Sequence, residues 1–324
     1  MSVDPHESMR DEFPIRSKLD SKPKVCVLLA AYNGVKYIAE QVDSILNQEL
    51  CEVEVWASDD QSTDGTFEWL SEKSRRDPRV LLLPRIERFG NAARNFYRLF
   101  RDVDFHSYDY VALADQDDIW LSDKLAWTIR RLRELNVSAI SSNVIAIWPN
   151  GSTTLIEKSQ RQRRLDFLFE SAGPGCTYLI TSEAAAGFRL FLLENRDEVD
   201  SVQFHDWMLY AWARSHCFLW HIDSRPMMYY RQHDQNEYGA NSGAAAFLRR
   251  FKNVRSGWYR AQILKIARLI SDGAQYTDEC AAAVSLVERQ TIKARVLLAG
   301  RVKHLRRKFK DRVLLLLALA LGGI

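Results

Sequence analysis

VCVLLAAYNG, residues 25–34, begins with seven consecutive apolar residues and ends in a turn signal. A continuous apolar run of this length indicates a strand that is buried on both faces, as strands of parallel sheets are. Residues 36–48 then place apolar side chains at positions 38, 42, 45 and 46, which is the spacing of an amphipathic helix. This stretch therefore predicts the first strand and the first helix of an α/β fold.

The alternation of strand and helix continues along the first third of the chain. Strands are predicted over residues 52–57, 80–83 and 110–114, and helices over residues 66–76 and 90–101. This rhythm indicates βαβ units and a mostly parallel sheet. Because ligands of such sheets bind beyond the carboxyl ends of the strands, functional residues are expected where these strands end.

The character of the sequence changes after residue 240. Residues 1–22 are polar and predict a disordered leader, whereas residues 23–240 are expected to form the α/β domain. Residues 241–324 are expected to form a helical segment that is basic and amphipathic. Within it, helices are predicted over residues 244–270 and 277–298, and residues 301–324 predict a basic helix that ends in an apolar run.

Composition limits the class of protein. The chain has 324 residues, of which 47% are hydrophobic and 27% charged, so a large core can form. A net charge of +3 does not predict nucleic-acid binding. Five cysteines without a CxxC pair favour a reducing compartment. No signal peptide is recognised, and the apolar run at residues 313–324 is shorter than the ~20 residues of a membrane span, so a cytoplasmic location is expected.

Acidic residues follow the predicted strand at residues 110–114. Asp115, Gln116, Asp117 and Asp118 are consecutive, and carboxylates packed this closely repel one another unless a cation compensates them. Oxygen ligands of this kind suit Mg²⁺ or Mn²⁺, with further ligands supplied by a diphosphate. The alternative is a solvated acidic turn or a helix N-cap.

Two other strand ends carry polar residues. The stretch DDQSTDGT, residues 59–66, offers carboxylates that could accept hydrogen bonds from a base or a ribose, or it forms a well-capped strand–turn–helix junction. AYNG, residues 31–34, could contact a nucleobase.

Two motifs lie further along the chain. Asp206 stands between His205 and Trp207, where desolvation would raise the pKa of its carboxyl group towards the range of a general base. The alternative is that Asp206 caps the following helix. RQHDQN, residues 231–236, offers a guanidinium and an imidazole that suit a pyrophosphate or its metal ion.

The order of these motifs resembles that of the family 2 glycosyltransferases of the GT-A fold. The motifs that carry the resemblance are AYNG at 31–34, DDQSTDGT at 59–66, DQDDIW at 115–120, GCT at 175–177, HDW at 205–207 and RQHDQN at 231–236. The DQDDIW and RQHDQN forms look most like the branch of bacterial rhamnosyltransferases. The resemblance implies a Rossmann-like mixed sheet flanked by helices, with a C-terminal helical extension.

The resemblance also implies a reaction. The expected reaction is an inverting transfer of a sugar from a nucleoside diphosphate to a hydroxyl of a lipid-linked or polysaccharide acceptor, in the synthesis of a bacterial surface polysaccharide such as O-antigen or capsule. L-Rhamnose from dTDP-rhamnose is the expected donor sugar, and another hexose from a UDP-sugar is the alternative. The expected cofactor is Mg²⁺ or Mn²⁺.

Roles for single residues follow from the same resemblance. Asp206 is the expected general base, and the expected metal ligands are Asp115, Asp117 and His233. The residues expected to bind the nucleotide or donor are Ala31, Tyr32, Asn33, Asp59, Asp60, Asn91, Arg94, Asp115 and Gln116. Those expected to line the sugar and acceptor pocket are Gly175, Cys176, Thr177, His205, Trp207 and Arg231. The sequence departs from the family at Gln61, where Gly is frequent, and at His205, where an acidic residue is common.

The C-terminal residues suggest a further partner. Six basic residues precede the apolar end of the chain: Arg301, Lys303, Arg306, Arg307, Lys308 and Lys310. This pattern suits an anionic membrane surface and predicts a peripheral location at the inner face of the plasma membrane. The alternative is an ordinary packing helix with a solvated basic face.

Two rival functions were weighed. A nucleotidyltransferase would carry a Gly-rich basic loop after the first strand, but AAYNGVKY, residues 30–37, has one Gly and one Lys. A non-catalytic nucleotide-sugar binder would have no use for the general base expected at Asp206.

Overall fold

The computed structural model describes residues 22–233 and 256–324. The predicted leader, apart from residue 22, lies outside the described residues. So do the last three residues of the RQHDQN motif and the first part of the helix predicted over residues 244–270.

The predicted alternation of strands and helices is confirmed in the first third of the chain. Its elements are β1 (Lys24–Ala31), α1 (Ile38–Leu46), β2 (Glu52–Asp59), α2 (Thr66–Arg76), β3 (Val80–Leu82), α3 (Ala92–Asp102) and β4 (Tyr110–Asp115). The strands β1, β2, β3 and β4 are parallel to their neighbours within this group. The carboxyl ends of these strands therefore meet at one edge of the sheet.

The middle of the chain adds strands and helices, of which the sequence predicted only the helix at the HDW motif. They are β5 (Ile119–Trp120), α4 (Lys124–Leu135), β6 (Ala139–Ser142), β7 (Val144–Ile147), β8 (Thr153–Ile156), β9 (Leu179–Thr181), α5 (Ser182–Glu194), α6 (Arg196–Val199), α7 (His205–Ser215), β10 (Trp220–Asp223) and β11 (Met228–Arg231). The helix α7 coincides with the helix expected after the HDW motif.

The strands form two sheets among the described residues. The larger has the order β10-β6-β9-β4-β1-β2-β3, in which β9 runs antiparallel to both of its neighbours. The smaller has the order β5-β11-β7-β8. The larger sheet is therefore mixed and flanked by helices, as the resemblance implied.

Strand β1 explains why an apolar run decides the fold. Its residues alternate between two hydrophobic clusters: Cys26 and Leu28 face the helices α3, α5 and α7, whereas Val25, Val27 and Leu29 face α1 and α4. All five side chains are fully buried. A strand covered by helices on both faces needs apolar residues at every position, not at alternate ones.

The described part of the C-terminal segment, residues 256–324, is helical, and two of the helices predicted there are interrupted. Its helices are α8 (Trp258–Leu269), α9 (Asp278–Arg289), α10 (Ile292–Ala299), α11 (Val302–Leu305) and α12 (Phe309–Ala320). The helix predicted over residues 277–298 is broken because Gln290 adopts a left-handed conformation with φ of 50°. The side chain of Thr291 then caps α10 by accepting a hydrogen bond from the Ala294 amide. The helix predicted over residues 301–324 is likewise interrupted between α11 and α12.

These helices share a core with the sheet. Ile263, Ile266, Val287, Leu298 and Leu315 are buried in the same cluster as the apolar residues of α3, α5 and α7. No described helix has both the length and the apolar character that crossing a bilayer requires.

Two of the six C-terminal basic residues make contacts within the protein. Arg307 is buried and pairs with the fully buried carboxylate of Asp166, with an Nη1–Oδ2 distance of 3.1 Å. Arg306 donates a hydrogen bond to the carbonyl oxygen of Phe169 over 2.7 Å. The buried Arg307 therefore cannot make the predicted membrane contact, and both arginines hold the C-terminal segment against residues 166–171.

Candidate active site

The candidate site begins where three neighbouring strands end. In the register of the sheet Ala31 pairs with Asp59, and Ala30 pairs with Asp115. The AYNG, DDQSTDGT and DQDD motifs therefore lie side by side at one edge. The parallel arrangement of β1, β2 and β4 places them there, as predicted.

Hydrogen bonds join the first two motifs. The Asn33 amide donates to Oγ of Ser62, and Oδ1 of Asn33 accepts from the Thr63 amide, both over 2.8 Å. The Gly34 amide donates to Oγ1 of Thr66, also over 2.8 Å. Asn33 thus connects two loops. Gln61, where the family often has Gly, adopts a left-handed conformation with φ of 58° that glycine tolerates more readily.

A second connection joins the AYNG and DQDD motifs. The Gln116 side chain accepts a hydrogen bond from the Tyr32 amide (2.6 Å) and donates one to the Tyr32 carbonyl (2.7 Å). A Cβ atom at position 34 would overlap the Gln116 amide, so Gly34 is required for this close approach. Gln116 therefore orders the loop that carries Tyr32.

The two carboxylates at the end of β2 are buried. Oδ2 of Asp59 accepts hydrogen bonds from the Ser62 amide and from the Arg85 guanidinium, while its Oδ1 has no hydrogen-bond partner among the described residues. Asp60 accepts from the amides of Phe89 and Gly90. Burial raises the pKa of the Asp60 carboxyl group despite these hydrogen bonds. Of the two, Asp59 retains a free acceptor.

Residues 84–91 contribute side chains that the sequence motifs did not indicate. Arg88 donates to the hydroxyl of Tyr32 over 2.8 Å, and its guanidinium lies 5.1 Å from the centroid of that ring. The Tyr32 ring is partly exposed beside this cation. A motif search misses Arg88 because it comes from a loop of irregular structure rather than from a strand end.

Asn91 and Arg94, which were expected to bind the donor, have contacts within the protein. Oδ1 of Asn91 accepts a hydrogen bond from the Arg94 amide and so caps α3. The Arg94 side chain donates to the carbonyl of Asp200 over 2.9 Å. These contacts place both residues at the start of α3.

The DQDD motif meets the end of β11. Oδ2 of Asp117 lies 2.7 Å from Nε2 of His233, and the Asp117 carbonyl accepts a hydrogen bond from the Arg231 side chain over 2.9 Å. The His233 ring stacks on Tyr37, with 4.9 Å between the centroids. The Arg231 guanidinium lies over the Tyr37 ring and pairs with the Glu40 carboxylate at a distance of 2.6 Å. Asp117 and His233, which are distant in sequence, are therefore brought together, and their role as metal ligands stays a prediction.

The buried part of the motif forms a cluster of donor atoms. Asp115, Asp118 and Cys176 each place one such atom within 4.8 Å of the others. Asp118 is fully buried, and its Oδ2 has no hydrogen-bond partner among the described residues. Burial, followed by the charges of Asp117 and Asp115, raises the pKa of the Asp118 carboxyl group well above its usual range. An excess of carboxylates with an unsatisfied oxygen fits a divalent cation with oxygen ligands.

Lys124 lies beneath this cluster and was not indicated by the sequence. Its Nζ is buried 3.8 Å from the centroid of the Trp120 ring and has no hydrogen-bond partner among the described residues. Burial lowers the pKa of the Lys124 ammonium group to about 8, although the nearby Asp118 favours its charged form. Lys124 is thus a cation that partly compensates the carboxylates from below.

The GCT turn connects the acidic cluster to the HDW motif. Cys176 belongs to the donor cluster, and Gly175 lies directly against α7. A Cβ atom at Gly175 would overlap Nε2 of His205 and would lie 3.3 Å from Cβ of Asp206. A turn of three residues, Gly175–Thr177, therefore separates the expected metal ligands from the expected base.

Asp206 has the environment that the sequence led us to expect. Burial raises the pKa of its carboxyl group to about 6, while hydrogen bonds from the Trp207 amide and the Ser171 side chain and the charge of Lys158 act in the opposite direction. It lies in the first turn of α7, whose N-cap is Phe204, so it does not cap the helix. Ser171 and Lys158 are contributors that the motifs did not reveal.

The neighbours of Asp206 make contacts within the protein. His205 stacks on Phe96, with 4.0 Å between the ring centroids, and burial lowers the pKa of its imidazole to about 3, so the ring is neutral near pH 7. Trp207 is buried and donates to the carbonyl of Phe167 over 2.8 Å. Thr177 is also buried and donates to the carbonyl of Pro174. Trp207 and Thr177 are thus packed inside the protein, and their place in a sugar and acceptor pocket stays a prediction.

The chain is similar in sequence to known glycosyltransferases. Residues 26–199 match the family described as glycosyl transferase family 2. A dTDP-rhamnosyl transferase, RfbG of Shigella flexneri, is 40% identical over 298 residues, which are 91% of this chain and 99% of that protein.

Solved structures show the same fold. TarS 1-349 of S. aureus, in complex with UDP, is 15% identical and has a TM-score of 0.52, with 93% of this chain and 88% of that chain covered. The mannosyltransferase PcManGT of Pyrobaculum calidifontis, in complex with GDP-Man and Mn²⁺, is 17% identical and has a TM-score of 0.50, with 98% and 90% covered. The matched family covers more than half of the chain, and the chain belongs to glycosyl transferase family 2.

Proposed function

We propose that this glycosyltransferase moves L-rhamnose from dTDP-rhamnose to a hydroxyl of a lipid-linked or polysaccharide acceptor, in the synthesis of a bacterial surface polysaccharide. The observation that carries this proposal is the 40% identity to a dTDP-rhamnosyl transferase, because that similarity extends over 91% of this chain. A UDP-hexose is the alternative donor, and a panel of donors distinguishes it from dTDP-rhamnose.

The donor is proposed to bind along the edge formed by β1, β2 and β4. The exposed ring of Tyr32, with Arg88 beside it, offers a face on which a nucleobase stacks. Oδ1 of Asp59 offers a buried acceptor for a base N–H or a ribose hydroxyl. The described contacts thus support a nucleotide site at this edge.

The metal site is proposed to consist of Asp115, Asp117 and His233, with Asp118 as a further carboxylate. The grouping of Asp115 with Asp118 and Cys176, and the 2.7 Å distance between Oδ2 of Asp117 and Nε2 of His233, support it. PcManGT, which has a similar fold, was solved with Mn²⁺. A divalent cation bound there would neutralise negative charge on the leaving diphosphate.

Asp206 is proposed to act as the general base. Its carboxylate accepts the proton of the acceptor hydroxyl while that oxygen forms a bond to the anomeric carbon and the bond from this carbon to the diphosphate breaks. One displacement inverts the configuration and leaves a nucleoside diphosphate. A carboxyl group whose pKa burial raises to about 6 is a stronger base than an exposed aspartate and is still largely ionised at neutral pH.

The acceptor is proposed to be presented at a membrane surface, with the protein located peripherally at the cytoplasmic face. A growing sugar chain on a lipid carrier remains at the bilayer, so a bound enzyme encounters it more often than a freely diffusing one.

A panel of donors tests the proposed substrate. The purified protein is incubated with dTDP-rhamnose, UDP-glucose, UDP-N-acetylglucosamine and GDP-mannose, each with Mg²⁺, Mn²⁺ or EDTA, and nucleoside diphosphate release is measured. We expect dTDP-rhamnose with a divalent ion to be turned over fastest. Faster turnover of a UDP-sugar would assign the chain to another hexose.

The same panel locates the metal site by thermal unfolding. We expect dTDP with Mn²⁺ to raise the melting temperature of the wild type, since a ligand bound to the native state stabilises it. Asp117→Ala should abolish this increase, whereas Asp123→Ala, a nearby acidic residue that pairs with Arg225, should retain it. An unchanged increase in Asp117→Ala would move the metal site elsewhere.

A further inference from the structure

The last helix of the chain is apolar on two faces, but the described residues cover only one of them. Leu315, Ala318 and Leu319 of α12 are buried in the core. The other face carries Phe309, Val313, Leu316 and Leu317, whose exposed fractions are 75%, 40%, 38% and 49%. The spacing of these residues, i, i+4, i+7 and i+8, places them in one stripe along the helix.

The neighbouring helix α10 extends this apolar surface. Ala294 and Leu298 are buried, whereas Ile292, Val296 and Leu297 are exposed by 74%, 65% and 51%. A hydrogen bond from the Arg295 side chain to the Leu319 carbonyl, over 3.2 Å, joins α10 to α12. The exposed apolar residues of these two adjoining helices are called the α10–α12 surface below. Exposed clusters of this kind mark contact sites rather than ordinary protein surface.

Charge identifies the class of partner. Residues 290–324 contain nine Lys or Arg residues and one acidic residue, Asp311. Arg306 and Arg307 are used within the protein, but Lys293, Lys303 and Lys310 are exposed. A strongly cationic, apolar surface complements an anionic one. It would repel a second copy of itself.

We propose that the α10–α12 surface docks the protein onto a bilayer that contains anionic phospholipid. This inference rests on the proposed function, in which the acceptor is held at a membrane. The exposed apolar side chains enter the boundary between headgroups and acyl chains, and the three exposed lysines contact the headgroups. Because α12 has twelve residues, about 18 Å in length, it lies on the bilayer and does not cross it.

The docking surface differs from the basic cluster that the sequence suggested. Arg306 and Arg307 hold residues 166–171 and are not available to lipid. Deletion of residues 301–324 would remove these internal contacts along with the surface. Substitutions on the exposed face separate the two effects.

Vesicle flotation tests the proposal on the full chain. Wild type is mixed with vesicles of phosphatidylcholine alone or of phosphatidylcholine with phosphatidylglycerol, and the bound fraction is measured across a range of salt concentrations. We expect binding to the anionic vesicles that decreases with salt. Phe309→Gln/Leu317→Gln should weaken this binding about a hundredfold or more, since two large apolar side chains lose their burial. Lys293→Gln/Lys303→Gln/Lys310→Gln should weaken it about a hundredfold, at about fivefold per cation.

A matched control distinguishes a specific docking surface from nonspecific adsorption through exposed apolar residues. Leu190 on α5 is 58% exposed and lies outside the α10–α12 surface, so Leu190→Gln should bind anionic vesicles as wild type does. Circular dichroism melting curves establish that each variant is folded. Equal flotation of wild type and Phe309→Gln/Leu317→Gln, or no flotation of wild type, would overturn the proposal. So would self-association of wild type that the same double substitution abolishes.

Sugar transfer to a water-soluble acceptor is measured on the same variants. None of the substituted residues lies in the candidate site, so transfer in solution should be unchanged. If wild type does not float with anionic vesicles but transfers rhamnose in solution, the docking surface is rejected and the proposed function stands. If wild type floats with anionic vesicles but does not transfer rhamnose, the proposed function is rejected and the docking surface stands.

Discussion

Asp206 shows how one residue acquires a chemical property from its surroundings. An exposed aspartate is a weak base, with a pKa near 4. Here burial raises the pKa of the carboxyl group to about 6, and the Ser171 hydroxyl and the Trp207 amide keep it oriented. The opposing charge of Lys158 prevents a larger rise. The carboxyl group is thus still mostly ionised at neutral pH and can accept a proton.

This balance predicts the acidic limb of the pH profile. The reactive form of Asp206 is the carboxylate, so kcat/KM should be constant above its pKa of about 6 and fall below it, by about tenfold per pH unit. Asp206→Asn should abolish transfer while leaving the stabilisation by dTDP and Mn²⁺ in place. Initial rates between pH 4.5 and 8 measure the limb. A limb that persists in the residual activity of Asp206→Asn would assign the titration to another group.

Gly175 illustrates a constraint of space at the same site. A Cβ atom there would overlap Nε2 of His205, which forms part of the first turn of α7 together with Asp206. Gly175→Ala should therefore displace this turn, reduce kcat and cost about 1–3 kcal/mol of stability. Gly300→Ala is the control, since its nearest neighbour would lie at an ordinary 3.5 Å. Urea unfolding and transfer rates measure both effects, and a Gly175→Ala variant with wild-type kcat would contradict the expectation.

At the scale of elements, the connection between α11 and α12 contacts residues 166–171, which lie beside Asp206. Arg307 pairs with Asp166, and its guanidinium also donates to the carbonyl of Ser171, whose side chain contacts Asp206. Tyr259 on α8 and Arg306 both donate to the carbonyl of Phe169. The C-terminal helices therefore hold the loop on which the orientation of Asp206 depends.

This arrangement predicts a large effect of one substitution far from the motifs. Arg307→Met leaves the fully buried Asp166 with Arg214 as its remaining ion-pair partner, at 3.2 Å. We expect a loss of about 3–5 kcal/mol in the free energy of unfolding, because a buried charge loses part of its compensation. Lys303→Met, at an exposed position of α11, should cost less than about 0.5 kcal/mol. Equal stability of the two variants in urea would show that the buried ion pair is dispensable.

For the whole molecule, the shared core raises the question of whether the catalytic part folds alone. The sequence suggested a domain over residues 23–240 and a separate helical segment. The apolar residues of α8, α9, α10 and α12 nevertheless lie in one cluster with those of α3, α5 and α7. Burial of each large aliphatic side chain contributes about 1.5–3 kcal/mol, so losing five of them is comparable to the ~5–15 kcal/mol of total stability.

Truncation after residue 240 should therefore fail to give a stable protein. We expect residues 23–240 alone to bind a hydrophobic dye and to lack a cooperative thermal transition. Addition of residues 256–324 as a separate chain should restore the transition in part, since the missing core returns. A soluble truncated protein with a cooperative melting curve would show that the two segments are independent domains.

The sequence alone determined the four parallel strands β1 to β4 and the edge of the site at which they end. Runs such as residues 25–31 and 110–114 are apolar without interruption, and this pattern is local, so it can be recognised without coordinates. The positions of Asp59 and Asp115 beside β1 then follow from parallel pairing. Sequence patterns failed for the breaks at Gln290 and after α11, because they depend on single backbone conformations and not on periodicity.

Tertiary structure alone decided which side chains meet across long distances in the chain. Contacts such as His233 with Asp117, and Arg307 with Asp166, join residues more than a hundred positions apart. Tertiary structure also decided which positive charges near the C-terminus are buried, because the sequence around an arginine does not indicate whether it pairs with a buried carboxylate. Hydrophobic periodicity is encoded residue by residue, whereas ion pairs and shifted pKa values arise only when the folded chain excludes water from specific groups.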